Sequence, residues 1–378
     1  MLQKILPREI VSTSADLLNM DKLYEVRLRS GGVVGINYGG RFYFLSKNGL
    51  VDKPNLAIQC TQAMLQDVVM RASDYSIYAS TKQINNGYIS VQGGIRIGIC
   101  GEVVWDNNSI KAVKNFSAIN IRVPHQVHGC ADFGMKYITS SIAVSDLKTN
   151  NSDKNGVSSD QISIKKDDVL DTKSSTHSNN YNNISTKSTT QIASKNSKDT
   201  YVNILNTLIL SPPGAGKTTY LRDIARQLGN MSPILNTLLV DERSELAACY
   251  NGVPQLDVGY TTDIISNCSK NFAFEQGIRA MRPDVIITDE LAGTQDLQSI
   301  TYAMSAGVKT IASIHAYDMR DLHQKLGFKN LLNSKIFELY IVLSSTPKVG
   351  TVVEIYDKNM QLIYEKNSQF SILNSQLL

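Results

Sequence analysis

The sequence predicts an α/β protein: a mainly parallel sheet wrapped by helices in the second half, preceded by a smaller domain of mixed α/β structure. Three observations predict it. From Tyr201 onward, short apolar runs alternate with helix-patterned segments, as a parallel sheet with crossover helices requires. The stretch Leu205 to Thr219, LNTLILSPPGAGKTT, passes from an apolar run through a Pro/Gly turn into a helical pattern. Ahead of both, residues 139–200 turn abruptly to Ser, Asn, Thr, Lys and Asp without sustained apolar periodicity. The chain therefore divides into a mixed α/β domain at 1–138, a polar low-complexity linker or disordered insert at 139–200, and a second α/β domain at 201–378.

Within the first domain, Tyr24, Val26 and Leu28 alternate with Glu25, Arg27 and Arg29, the period of a half-buried strand. Gly31-Gly32 and Gly39-Gly40 punctuate two further short strands, VVGINY and RFYFL. Between Leu56 and Arg71 the apolar residues Met64, Leu65, Val68 and Val69 recur at helical spacing. Gly87 to Val104 reads as a hairpin whose Gly93-Gly94 supplies the positive φ angles of a tight turn. A second turn at Asp106 to Asn108 leads to strands near Ile110 to Val113 and Ile119 to Val123.

As a flexible coil, the polar insert would separate its ends by roughly 40 Å. That reach would let one domain engage a neighbouring subunit. The other reading is a tolerated surface insertion, since long loops add little closure cost.

In the second domain the expected strands are Leu205 to Leu210, Thr237 to Val240, Val285 to Thr288, Thr310 to Ser313, Leu339 to Leu343 and a terminal Thr351 to Tyr356. The expected helices between them are Lys217 to Leu228, Phe272 to Met281, Asp296 to Ala306 and Met319 to Leu326. Leu297, Ile300 and Met304 give one of these an apolar stripe.

Composition excludes several classes. The chain has 378 residues, 42% hydrophobic and 19% charged, a balance ordinary for a globular protein of two domains. Its net charge of +4 does not argue for nucleic acid, although a basic patch can be local. The five cysteines are far apart and form no C-x-x-C pair, so they read as reduced, mostly buried thiols in the cytosol. No apolar run approaches the ~18 residues of a membrane span. The segment MLQKILPREI lacks the apolar stretch of a secretion signal. The expectation is a cytoplasmic protein that meets a membrane only through a partner.

The turn after Leu210 has the chemistry of a phosphate-binding loop. Gly214 and Gly216 let backbone N–H groups curl around phosphate oxygens, the following helix adds its positive dipole, and Lys217 adds a full charge. The Thr218 hydroxyl is placed to hold Mg²⁺. Pro213, Gly214, Ala215, Gly216, Lys217, Thr218 and Thr219 are the nucleotide-binding candidates. The pattern G-x-x-x-x-G-K-[ST] has one departure: Ser211 stands at the first glycine. Because it precedes Pro212 it is restricted towards extended geometry, which a loop entrance tolerates.

Three later clusters follow strands. Val285 to Thr288 runs into Asp289, a candidate Mg²⁺ ligand, and Glu290, a candidate to orient and polarise the attacking water. Leu238 to Val240 runs into Asp241, Glu242 and Glu245, which are candidates for a metal and water shell or simply the acids of a solvated helix start. The third strand ends at His315, where an imidazole would contact the γ-phosphate or serve structure alone. Parallel strands bring such acids to one rim, where ligands of open α/β folds bind. Arg279 and Arg282, just before Val285, are candidates to reach phosphate, to pair with the acids, or to remain solvated.

These segments, PPGAGKTT, VDERSE, IRAMRPDVIITDE and GVKTIASIHA, together resemble the secretion ATPase superfamily, the hexameric motors of type II and type IV secretion and of retractile pili. The resemblance is greatest to its sporulation branch, the stage III sporulation protein AA family, through GKTTYLRDIAR, VDERSEL and DEL. In the first domain it is carried by EVRLR, Tyr75-Ser76, GGIRIGICGE and INIRVP. It covers nearly everything except residues 139–200 and the last few.

The resemblance implies a RecA-like P-loop NTPase fold, ATP and Mg²⁺ as ligands, and hydrolysis in the mother cell at a secretion channel facing the forespore. It also implies a homo-hexameric ring, a membrane-embedded partner, and nucleotide-contacting arginines from the first domain, Arg96 and Arg122. In that scheme Lys217 and Thr218 grip phosphates and metal, Asp289 and Glu242 complete the metal shell, Glu290 positions water, His315 senses the γ-phosphate and Arg282 joins the nucleotide set. Two rival readings are a RecA-like nucleic-acid motor, against which the near-neutral charge argues, and a nucleotide-binding assembly scaffold with little turnover.

Overall fold

The computed structural model describes residues 1–14, 19–143, 200–325 and 327–366. The described residues within 1–140 and 204–366 belong to one compact unit. The chain begins with α1 (Leu2–Ile5) and α2 (Arg8–Ser14), then β1 (Leu23–Arg29), β2 (Gly35–Tyr38), β3 (Arg41–Ser46) and β4 (Gly49–Val51). Helices α3 (Gln62–Ala72) and α4 (Ile77–Asn85) precede β5 (Tyr88–Val91), β6 (Ile95–Asp106) and β7 (Ser109–Arg122). These strands form one antiparallel sheet in the order β4-β3-β2-β1-β7-β6-β5.

The alternation read in EVRLR is that of β1: Val26 and Leu28 are buried, while Glu25 and Arg27 are half-buried. Leu65, Val68 and Val69 of α3 join Val26, Leu28, Ile97 and Ile121 in one core. Helix α3 starts later than its apolar pattern suggests. Pro54–Leu56 makes a separate single turn, and the Thr61 side chain accepts the Met64 N–H at 3.3 Å to cap the helix. The Gly93-Gly94 turn has φ of +84° and +72°, as the sequence requires.

The two strands expected near Ile110 and Ile119 are one continuous β7, paired with β6 across a register shift between Cys100 and Glu102. A β-bulge absorbs the polar stretch between them. At its centre lies Gly101, whose Cβ would stand 2.7 Å from the Lys114 carbonyl oxygen.

After α5 (Asp132–Ile138), β8 (Thr139–Ala143) and β9 (Thr200–Ile204) pair as a two-stranded sheet. Nearly all of the predicted polar insert lies outside the described residues. The second half then runs β10 (Thr207–Ser211), α6 (Lys217–Leu228), β11 (Thr237–Asp241), β12 (Thr262–Ser266), α7 (Lys270–Met281), β13 (Val285–Thr288), α8 (Thr294–Ser305) and β14 (Lys309–His315). It ends with α9 (Met319–Gln324), α10 (Phe328–Asn333), β15 (Leu339–Ser344), β16 (Thr351–Asp357) and β17 (Leu362–Glu365).

The sheet order is β12-β11-β13-β14-β10-β15-β16-β17. The first six strands are parallel and the last two antiparallel. Strands β10, β11 and β13 are buried along their whole length, which is why they read as continuous apolar runs rather than alternations. Leu208, Leu210, Val240, Ile286 and Ala312 pack with Phe274, Ile300, Leu322 and Leu332 of α7 to α10. Helix α6 lies against β10, β11, β13 and β14 and buries Tyr220, Leu221, Ile224 and Leu228. Among the described residues no helix is long and apolar enough to cross a membrane.

Candidate active site

The C-terminal ends of β10, β11, β13 and β14 bring most of the candidate residues to one rim. At β10 the last strand residue is Ser211, which is fully buried and donates its hydroxyl to the Pro212 carbonyl at 2.9 Å. It pairs in register with His315 on β14. Gly214 and Gly216 then take left-handed φ angles of +77° and +88°. Beside Gly214 the space a Cβ would fill is open, whereas at Gly216 a Cβ would meet Val349 Cγ1 at 2.7 Å. The Gly350 N–H donates to the Ala215 carbonyl at 3.0 Å, so the turn between β15 and β16 braces the loop from outside.

Helix α6 begins at Lys217 with its first-turn amides at the rim, where backbone N–H groups have no intrahelical partner. The Lys217 side chain is buried at the rim, and its ammonium lies 2.9 Å from Nδ1 and 3.3 Å from Nε2 of His315. Burial pushes the Lys217 ammonium below its ordinary range, against the opposing carboxylates of Asp289, Glu290 and Glu245. Thr218 donates its hydroxyl to Asp289 Oδ2 at 2.5 Å, and Ser313 donates to Asp289 Oδ1. Ser313 also accepts the Glu290 N–H at 3.0 Å.

Glu290 sits at a positive φ of +52°, uncommon for a residue with a side chain. Its Oε1 is 3.3 Å from His315 Nε2, and its Oε2 is 2.5 Å from Arg243. Lys217, Thr218, Asp289, Glu290 and His315 thus form one contiguous cluster.

The three acids at the end of β11 and just beyond it have separate partners. Asp241 is buried and accepts the N–H groups of Glu245, Leu246 and Ala247 at 2.8, 3.0 and 2.9 Å, which folds the following loop back on itself. Glu242 is bound to Lys270 at 2.5 Å, although it lines a small cavity with Asp289 and Glu290. Glu245 pairs with Arg96 at 2.6 Å.

Arg282 is not brought to this cluster. It ends α7 in a left-handed conformation, exposed, at the opposite end of β13 from Asp289. Arg279 pairs along the helix with Glu275 at 2.8 Å.

Between the two sheets a cleft of about 510 Å³ is lined by Gly214, Thr218 and Thr219 on one side and by Tyr24, Arg96, Arg122 and His125 on the other. Arg96 and Arg122 are register partners on adjacent strands. Arg122 is exposed at the cleft, whereas Arg96 is committed to Glu245 and to the Arg243 carbonyl at 3.1 Å, and stacks 4.0 Å over the Tyr88 ring.

Four residues of the site escaped the sequence reading. Ser313 has a findable signal, because period two along β14 puts it on the His315 face. Arg243 stood inside VDERSE, hidden among acids. Lys270 and Arg222 had none. Arg222, on the second turn of α6, is 5% exposed and donates to the carbonyls of Leu246, Glu245 and His125 at 2.6, 2.7 and 3.2 Å.

The residues fit a nucleotide and Mg²⁺. An open glycine cradle, a helix N-terminus and a lysine suit phosphates. The Thr218 hydroxyl and the Asp289 carboxylate are hard oxygen donors, few in number, as suits an ion that shares its shell with phosphate and water. Among the described residues no group of three or more His, Cys, Asp or Glu forms a metal cage.

Comparison with known proteins places the chain. The model of the family Sporulation stage III, protein AA, matches residues 2–150 and 174–363. The stage III sporulation protein AA of Bacillus subtilis (strain 168) is 28% identical over 364 residues, covering 95% of both chains. An uncharacterized protein ycf45 of Cyanidium caldarium is 27% identical over 119 residues, 31% of this chain and 35% of that one. Among solved structures, the ATPase DotB of Yersinia pseudotuberculosis gives a TM-score of 0.47 at 13% identity, over 89% of this chain and 76% of that one. The pilus retraction motor PilT with bound ADP gives 0.48 at 12% identity, over 95% and 83%. On the family match, spanning both sheets and the rim between them, this chain belongs to the family Sporulation stage III, protein AA.

Proposed function

We propose that the chain is a Mg²⁺-dependent ATPase that works at a sporulation-associated secretion channel between mother cell and forespore, hydrolysing ATP to drive or assemble that complex. The observation that carries the ATPase reading is the contiguous rim cluster. Lys217 and Thr218 open the helix after the glycine cradle and are bonded directly to His315 and Asp289, with Glu290 next to both.

Phosphoryl transfer asks little covalent chemistry of a protein, so positioned charge of this kind suffices. In this reading Lys217 exchanges the His315 ring for phosphate oxygens, and the amides of Gly214 to Thr219 bind the rest of the polyphosphate. Glu290 accepts a proton from, and orients, the attacking water, while His315 responds to the terminal phosphate across Lys217. Thr218 and Asp289 would hold Mg²⁺, which when bound neutralises charge on the phosphates. Glu242, tied to Lys270, supports the rim rather than ligating directly. Arg122 faces the nucleotide across the cleft.

Residues 1–138 and 201–378 act as the two domains of each subunit in a homo-hexameric ring. The protein is cytoplasmic and is held at the membrane by an embedded partner.

One observation favours a second reading, a nucleotide-binding scaffold with little turnover: both oxygens of Glu290 are already engaged, by Arg243 and His315. Steady-state phosphate release by the purified protein, with Mg²⁺ or EDTA and with or without single-stranded DNA, separates the readings. Mg²⁺-dependent release indifferent to DNA is expected. DNA-stimulated release would indicate a nucleic-acid motor, and ATP binding without release would indicate the scaffold.

A further inference from the structure

The loop after β11 joins two things that are far apart in the sequence. Its residue Arg243 reaches Glu290 at 2.5 Å, while its backbone is held by the N-terminal sheet. Arg96 of β6 donates one nitrogen to both the Arg243 carbonyl, at 3.1 Å, and the Glu245 carboxylate, at 2.6 Å. The loop has little other freedom. Asp241 holds three of its N–H groups, Arg222 holds two of its carbonyls, and Ser244 takes a left-handed φ of +51°.

At the other end, Glu290 is fixed by its backbone. Its N–H bonds to the Ser313 hydroxyl, and the Leu291 N–H bonds to the Ser313 carbonyl at 2.8 Å. The backbone therefore sets where Glu290 stands, and Arg243 on one oxygen, with His315 beside the other, sets where its carboxylate points.

We propose that Arg243 is a positioning residue for Glu290 and that Arg96 sets it, so that Arg96 acts on hydrolysis through this loop rather than by touching nucleotide. The proposal rests on the ATPase reading above. An exposed ion pair made only for stability would leave turnover alone. A misdirected water-orienting carboxylate instead costs about 10²-fold in rate, because small displacements at a reacting centre are expensive.

Phosphate release by the full chain across an ATP titration tests this, with melting temperature as the folding control. Arg243→Ala is expected to lower kcat about 10²-fold while KM stays within about threefold, the pattern of a group acting only in the transition state. Arg243→Lys keeps a cation for a contact made through one nitrogen, and is expected to recover about tenfold of that loss. Arg96→Ala should lower kcat about tenfold without weakening ATP binding. The double variant should be no slower than Arg243→Ala, since the two act as one unit.

Unchanged or faster turnover in Arg243→Ala overturns the proposal. So does a fully additive double variant, or an Arg96→Ala defect confined to KM, which would make Arg96 a nucleotide ligand. Should Arg243→Ala fail to fold, Arg243→Lys and Arg96→Ala still decide, because wild-type kcat in both is an overturning result. A wild-type protein that binds ATP and releases no phosphate overturns the ATPase reading and this proposal together. An active wild type with an unaffected Arg243→Ala sinks the proposal alone.

Discussion

The two ends of the parallel sheet are both polar, yet their polar groups are used differently. At the N-terminal ends of the strands, side chains close the backbone, with one Lys309–Glu338 ion pair beside them. Asn206 accepts the Thr310 N–H at 2.9 Å and is bonded through its own N–H and side chain to Glu338, which also holds Lys309 at 2.8 Å. Asp284 accepts the Asn236 N–H at 2.8 Å. At the C-terminal ends, side chains meet side chains: Lys217 with His315, Thr218 and Ser313 with Asp289, Arg243 with Glu290. A bond to backbone is part of the fold and has no substitute, whereas a bond between two polar side chains can be exchanged for a ligand of the right charge. The difference marks one rim as structural and the other as available for chemistry.

Substitution at the two rims should therefore separate turnover from stability. The largest effect expected is from Glu290→Gln, which should lower phosphate release about 10²–10⁴-fold while ATP binding and melting temperature stay near wild type. Wild-type release by this variant would remove Glu290 from the mechanism.

Asp241 is the exception that sharpens the contrast, a C-terminal-rim acid spent on backbone. Asp241→Ala strips three N–H groups, two of them buried, of their acceptor, so it should cost about 3 kcal/mol of stability in a denaturant titration. If stability held and only turnover fell, Asp241 would belong with the metal shell after all.

At the opposite rim, Asn206→Ala should cost about 2 kcal/mol, because it orphans the Thr310 N–H, while turnover per folded molecule is unchanged. A turnover defect there would erase the distinction between the rims.

The Asp223 carboxyl on α6 gives a pH signature. Burial alone would raise it, but the Ala131 N–H, Arg226, the Gly129 N–H and Gln227 together hold it below the ordinary carboxylate range. A depressed folded value means stability that is present above the unfolded pKa and lost as pH falls through the folded one. Asp223→Asn should therefore flatten the acid limb of stability against pH below about 4. An unchanged acid limb would contradict that assignment.

The smallest effect expected is from Arg282→Ala, with turnover within about twofold, as for an ordinary surface position. A larger loss would mean that a second copy of the chain supplies this arginine to the site.

Much of this is legible in the sequence. The apolar runs of β10, β11 and β13 and the Pro/Gly break ahead of α6 announce strand-turn-helix because buried parallel strands and glycine cradles leave strong local patterns. The rim residues Lys217, Thr218, Asp289, Glu290 and His315 follow from strand ends, since parallel strands share a direction. Strand β12 was not legible: its TDIIS is half-exposed at the sheet edge and has neither a long apolar run nor clean alternation. The division of labour among Asp241, Glu242 and Glu245 was illegible for a different reason. Adjacent acids look alike in sequence, and only the fold decides that one meets backbone, one Lys270 and one Arg96. Arg282 lies three residues before β13, so the strand carries it to the rim opposite Asp289.

The turn that packs Val349 and Gly350 against Ala215 and Gly216 belongs to the antiparallel addition at the edge of the sheet, late in the chain and outside the sequence motif it supports. Its length is therefore constrained without any contact to nucleotide. Inserting a residue between Ser344 and Thr351 would slacken the loop's curvature while every motif residue remained in place, a lesion invisible to any inspection of the motif itself.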